Sequence, residues 1–65
     1  MKVQYFPDTD TVLVTLNTQP VAQTRDLDEN TLLDLDSNGN LVSITIEHAR
    51  ERADIANFSF EQVAA

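Results

Sequence analysis

Two runs of alternating apolar and polar residues flank Asn38-Gly39 in the segment 31–47. Alternation is typical of β-strands with one buried face, and Asn-Gly is the dipeptide best suited to a two-residue type I′ turn. The pattern therefore predicts a β-hairpin. Turn and alternation favour one register. The pairs expected in it are Leu35–Val42, Leu33–Ile44, Thr31–Ile46, Asp34–Ser43 and Asp36–Leu41.

A second hairpin is predicted in the first 16 residues. Segments 2–6 and 11–16 both alternate, and segment 7–10 between them, Pro-Asp-Thr-Asp, has the composition of a turn. A tight connection places apolar residues opposite each other. The expected pairs are Tyr5–Val12 and Val3–Val14.

The other two segments are less regular. Segment 17–30 is rich in Asp, Glu and Asn, and only residues 21–24 suggest a short edge strand. Segment 48–56 loses the alternation and is rich in helix formers. Its apolar stripe is formed by Ala49, Ala53, Ala56 and Phe60. Ser59 and Gln62 fit a capping box for a final turn through Val63. One flawed helix and two short helices both remain open.

These elements predict a single α+β domain over residues 1–65. It contains a four-stranded, mainly antiparallel sheet of two hairpins, with a short C-terminal helix on one face. Ten apolar side chains are expected on that face: Val3, Tyr5, Val12, Val14, Leu16, Leu33, Leu35, Val42, Ile44 and Ile46. The helical segment offers Ile55, Phe58, Phe60 and Val63 as a cover.

That cover is short, and a chain of 65 residues without cysteine has no disulfide to reinforce a small core. A homodimer that buries the remaining apolar surface is therefore expected.

Charge narrows the classes of partner. Eleven acidic and four basic residues give a net charge of −7, which disfavours nucleic acid and anionic membranes. A basic protein or a cation is favoured instead, although acidity also keeps a small β-rich protein soluble. The N-terminus lacks the apolar run of a signal peptide, and no window resembles a membrane span. A cytoplasmic protein is expected.

One segment matches a functional pattern in part. The series Asp34-x-Asp36-x-Asn38-Gly39 copies the first half of a calcium loop. Its twelfth position, where a bidentate Glu is needed, is Thr45. The same residues also serve a turn. Asp34 and Asp36 are thus weak candidates for a metal site, and no cofactor is expected.

His48 is the single histidine and follows Glu47, so a general base is conceivable. No Ser, Cys or Lys stands in a motif that would use it. The sequence therefore predicts no catalytic residues and no enzymatic activity. Arg50 and Arg52 are expected to pair with acids near them in the chain.

Two segments carry a resemblance to a known family. Tyr5, Asp10 and Leu16 match its first motif, whereas Phe6 departs from it. Ser43 and Thr45 depart from the second motif. The residues that match this second motif are Asp34, Asp36, Gly39, Asn40, Val42, Ile44 and Ile46. Over about residues 1–50, the chain resembles domain of unknown function 2283, a group of small, mostly prokaryotic proteins.

The resemblance implies no established activity. Some relatives look like antitoxin-like partners of small toxin-like proteins, which would suit the acidic charge. The function expected is a non-enzymatic, self-associating or protein-binding module. One alternative is an antitoxin-like protein that binds a small basic toxin. The other is a weak divalent-cation-binding or enzymatic protein that uses Asp34, Asp36 and His48.

Overall fold

The computed structural model describes residues 1–57 and 59–64. Within them the chain forms one five-stranded sheet and one short helix, with strand order β1-β2-β5-β4-β3 and every pairing antiparallel. The elements are β1 (Lys2–Phe6), β2 (Thr11–Thr15), β3 (Gln23–Asp28), β4 (Thr31–Leu35), β5 (Leu41–Glu47) and α1 (Ala49–Arg52). In that part of the chain no helix has the length and apolar character of a membrane span.

The prediction of four strands is wrong by one, because β3 lies in segment 17–30, for which the sequence predicts at most a short edge strand. It forms an edge of the sheet, and all six of its residues are exposed. An edge strand that buries neither face shows no hydrophobic alternation, so the pattern could not reveal it. The edge strand expected at residues 21–24 lies here but is longer and begins later.

The N-terminal hairpin has the predicted register. Its pairs include Val3–Val14 and Tyr5–Val12. On its other side, β2 pairs with β5, and this pairing extends the same apolar rows into the centre of the sheet. The two halves of the chain therefore meet along the β2–β5 ladder.

The turn of the central hairpin differs from the prediction. Asn38 does not have the positive φ that a type I′ turn requires, and only Gly39 is left-handed, with φ 82°. The N–H of Gly39 donates to the carbonyl of Asp36 at 3.0 Å, and the N–H of Asp36 donates to the carbonyl of Asn40 at 2.9 Å. The loop is a four-residue turn that ends in a left-handed glycine, a common longer hairpin connection.

This longer loop shifts the register at its base. Leu35 pairs with Leu41, and Val42 is the additional residue of a bulge in β5. The predicted pairs Leu35–Val42 and Asp36–Leu41 are therefore wrong. The pairs confirmed are Thr31–Ile46, Leu33–Ile44 and Asp34–Ser43. The Val42 carbonyl accepts from the N–H groups of Leu16 and Asn17, so the bulge remains hydrogen-bonded.

Gly39→Ala is expected to destabilise the fold by about 1–2 kcal/mol, the cost of a left-handed conformation for a residue with a Cβ. A Cβ at this position would meet no atom within 4 Å, so the backbone alone sets the cost. Gly39→Asn should cost less, because Asn tolerates this conformation. Urea unfolding of the three proteins measures the difference, and equal losses for Ala and Asn would contradict this explanation.

The C-terminal helix is shorter than predicted. α1 has four residues, and Ala53 after it is extended, with φ −150°. Residues 59–64 contain neither the predicted final turn nor a strand. Of the side chains expected to cover the sheet, Ile55 is half-buried, whereas Phe60 and Val63 are 70% and 78% exposed. Phe58 lies outside the described residues. Without a packing partner, a segment this short does not sustain a helix.

The resulting core is thin. Among the described residues, the buried apolar side chains are Val12, Val42 and Ala49, and no large side chain is fully buried. Most apolar residues of the sheet are only half-buried. One face of the sheet therefore retains accessible apolar surface.

Candidate functional site

The two faces of the sheet differ in chemistry. Cross-strand partners lie on the same face of a sheet, so the register of the strands assigns each residue to a row. Two neighbouring rows form what we name the apolar face: Val3, Val14, Ile44 and Leu33, and then Tyr5, Val12, Ile46 and Thr31. We name the other side the polar face. One of its rows crosses all five strands: Lys2, Thr15, Ser43, Asp34 and Thr24.

The carboxylates of the strands are unevenly divided between these faces. By alternation, Asp26, Asp34 and Glu47 belong to the polar face. Asp28 lies at the β3 edge of the apolar face, where Arg52 neutralises it. A chain of net charge −7 thus keeps its apolar face nearly free of unpaired negative charge.

A cavity of about 380 Å³ opens between the apolar face and the segment that follows α1. Val3, Val14 and Ile46 form part of its floor, and Ile55 and Ser59 lie on its opposite side. Apolar sheet residues dominate the floor, and the space is large enough for two or three side chains. The segment after α1 covers the sheet incompletely.

Asp10 holds the first hairpin against the start of α1. Its Oδ1 accepts from the hydroxyl of Tyr5 at 2.8 Å and from the N–H of Arg50 at 3.2 Å. Its carbonyl accepts from the N–H of Ala49 at 2.9 Å. Asp10 has φ 52°, an uncommon conformation for a residue with a side chain. We refer to this set of contacts as the Asp10 clamp.

Tyr5 connects the clamp to the cavity, which its side chain also lines. The guanidinium of Arg50 lies 5.7 Å from the centre of the Tyr5 ring, within the range of a cation–π contact. Partial burial raises the pKa of the Tyr5 hydroxyl, and the hydrogen bond to Asp10 acts in the same direction. The charge of Arg50 opposes both. Tyr5 is thus a neutral hydrogen-bond donor at neutral pH.

His48, the residue considered as a general base, turns the chain from β5 into α1. It is left-handed, with φ 54°, and exposed. Across residues 1–57 and 59–64, no hydrogen bond joins its imidazole to another group. The left-handed conformation explains the place of His48 at this junction.

Asp34 and Asp36, the metal candidates, belong to separate hydrogen-bond sets. Asp34 accepts from the hydroxyls of Thr24 at 2.7 Å and Ser43 at 2.6 Å. The buried Asp36 accepts from the N–H groups of Asn38 at 2.9 Å and Asn40 at 3.0 Å. In the described part of the chain, no three acidic or histidine side chains are grouped as a metal site would require.

Arg52 pairs with a distant acid, and the prediction of pairing with neighbours is wrong for it. Its guanidinium donates to Asp28 at 3.0 Å and to the hydroxyl of Thr31 at 2.6 Å. The N–H of Asn30 donates to Asp28 and lowers the pKa of that carboxyl, with Thr31 and Arg52 acting in the same direction. These contacts attach α1 to the β3–β4 edge.

The lowered pKa of Asp28 makes stability depend on acid pH. This contribution is present above the unfolded pKa of about 4 and is lost as pH falls through the lower folded value. Asp28→Asn should therefore reduce the melting temperature at pH 7 by a small amount. At pH values below the folded pKa, it should cost almost nothing. Melting curves of both proteins from pH 2 to 7 test this, and a pH-independent difference would contradict it.

The sequence pattern missed the role of Asp10. The family resemblance was the one signal for this role, because Tyr5 and Asp10 both match the first motif. The spacing of these residues gave no link to Arg50. The contact with Arg50 spans 40 positions of the chain. Only the three-dimensional arrangement could bring these groups together.

The described residues thus define a small antiparallel sheet protein with one half-covered apolar face and a clamp at one end of it. The family model described as Protein of unknown function (DUF2283) matches residues 2–50. The chain belongs to this family. No curated protein and no solved structure matches it.

Proposed function

We propose that this chain is a non-enzymatic, self-associating module whose apolar face binds the apolar face of a second copy. The observation that carries the proposal is that one entire face of the sheet is apolar, whereas few of the described apolar side chains are buried. A sheet with one apolar face needs another layer, and four helical residues do not supply it.

The accessible surface supports the same proposal. The chain exposes 5052 Å², whereas a compact monomer of 7.3 kDa exposes about 4,200 Å². The excess, about 850 Å², is close to the roughly 800 Å² that each partner buries in a standard stable interface. The exposed residues after α1 contribute to this excess.

The distribution of charge also favours a second copy as the occupant. Two acidic chains repel each other, so a surface for self-association has to exclude carboxylates. In the strand rows of the apolar face, Arg25 is the charge without a salt bridge among the described contacts, and Asp28 is paired. The carboxylate of Asp54 also lines the cavity, where it accepts a hydrogen bond from the side-chain amide of Asn57. The strand rows of two copies can therefore approach with little electrostatic cost, and Asp54 is the carboxylate that a second copy would meet at the cavity.

Self-association makes stability depend on concentration, because a dimer that dissociates on unfolding is stabilised by mass action. The melting temperature of the full chain should rise by several degrees between about 2 and about 200 µM. Circular dichroism and calorimetry together cover this range. A melting temperature that stays constant across it would overturn the proposal.

A second candidate is an antitoxin-like protein that binds a small basic partner. The observation that favours it is the exposed edge strand β3 with the turn after it, which presents Asp26 and Glu29 to solvent. Charge complementarity of this kind accelerates association and gives specificity.

The two candidates are separated by charge reversal. If β3 binds a basic partner, pull-down from the native host recovers a small basic protein with the unaltered chain but not with Asp26→Lys/Glu29→Lys. Asp8→Lys, an exposed carboxylate at the opposite edge, is the matched control and should retain it. Recovery that is equal for all three chains would remove this candidate.

A further inference from the structure

We infer that the C-terminal segment 59–64 of one copy docks into the cavity on the apolar face of the other copy, and reciprocally. This inference rests on the proposed self-association and names the element that completes it. A reciprocal exchange of identical elements follows from two-fold symmetry and is an accessible route to a dimer.

The segment has apolar side chains without a partner. Phe60 is 70% exposed and Val63 is 78% exposed, and both are large. Burial of an apolar side chain of this size is favourable, because it removes apolar surface from water. Because both side chains are exposed in their own chain, their burial in a partner would favour docking substantially.

The position and the apolar lining of the cavity suit these two side chains. Ser59 already lies at its margin, so the segment begins where the cavity opens. Its own Phe60 nevertheless remains in solvent, which leaves the volume of about 380 Å³ available. In a face-to-face dimer, each cavity lies opposite the other chain, within reach of the partner's segment.

Charge provides an independent match. Glu61 lies between Phe60 and Val63 in the segment, and Arg50 lies beside the cavity over the ring of Tyr5. Among the described contacts, Arg50 has no carboxylate partner. A docked segment that buries Phe60 would bring Glu61 near this guanidinium, and this attraction has to exceed the repulsion from Asp54, which lines the same cavity.

Cross-linking between differently tagged chains tests the exchange, because the native chain has no cysteine. One chain carries Val63→Cys and the other carries Val3→Cys, on the floor of the cavity. A short bis-maleimide is expected to join them into a covalent heterodimer. The matched control pairs Val63→Cys with Leu27→Cys, an exposed position on the far edge of the sheet, and should give little product.

The outcomes distinguish the exchange of segment 59–64 from self-association in general. Equal cross-linking with Val3→Cys and Leu27→Cys in a sample that sediments as a dimer would overturn the exchange alone. Preferential cross-linking within one chain that carries both Val3→Cys and Val63→Cys would also overturn it. A sample that sediments as a monomer would overturn the self-association itself.

Phe60→Ser supplies a measurement without cysteine. We expect it to weaken dimer association about 100- to 10,000-fold, because a reciprocal exchange loses one buried aromatic side chain in each copy. Leu27→Ser is the control, since Leu27 is also large and 65% exposed but lies far from the cavity. Equal association constants for the two variants would contradict the inference.

Discussion

Asp10→Ala is expected to lower the free energy of unfolding by about 2–4 kcal/mol. The carboxylate accepts two hydrogen bonds, and its loss leaves the hydroxyl of Tyr5 and the N–H of Arg50 without their partner. Ala also lacks the local hydrogen bonding that lets Asp tolerate a φ of 52°. Because a domain of this size has little stability in reserve, the loss should be visible as partial unfolding at 25 °C.

Two controls identify the cause. Asp10→Asn keeps an acceptor oxygen and tolerates the left-handed conformation, so it should cost about 1 kcal/mol. Asp8→Ala removes an exposed carboxylate from the same turn and should cost almost nothing. Chemical denaturation of the four proteins measures these differences. If Asp8→Ala and Asp10→Ala were equally destabilising, the clamp would have no special role.

Val14→Lys is expected to weaken self-association by at least about 100-fold, because it places an unpaired charge in the middle of the proposed interface. Val14 is half-buried on the apolar face, between Val3 and Ile44 in the same row. In a symmetric dimer the substitution acts twice. Sedimentation velocity of the folded variant, checked by circular dichroism, measures the effect.

Leu13→Lys is the matched control for Val14→Lys. It changes the adjacent residue of the same strand, which is also half-buried but points to the polar face. It should leave the association constant within a few-fold of the native value. The opposite result, dissociation by Leu13→Lys and not by Val14→Lys, would assign the interface to the polar face. Val3→Lys, on an edge strand, tests the apolar face again if Val14→Lys does not fold.

The sequence predicted those parts of the fold in which alternation and turn chemistry both act. Val3–Val14 in the first hairpin and Leu33–Ile44 in the second pair as expected. It failed at β3, where an exposed edge strand has no apolar alternation to detect. It failed again at Asn38, because Asn-Gly also occurs in a longer loop with a single left-handed glycine.

The candidate site could be predicted only in part. The apolar face follows directly from the alternation of the central strands. Its incomplete cover does not, because the helix propensity of segment 48–56 suggested a longer helix than the four residues of α1. The Asp10 clamp was beyond prediction, since it joins residues 40 positions apart through a backbone N–H that the sequence does not display.

Sedimentation equilibrium of the full chain tests the central claim most directly. Between about 1 and about 100 µM, the self-association proposed here predicts a weight-average mass that rises with concentration to twice the 7.3 kDa of one chain. It should stop there, because a closed two-fold interface leaves no apolar face to recruit a third copy. A mass that stays at that of a single chain throughout this range would contradict it.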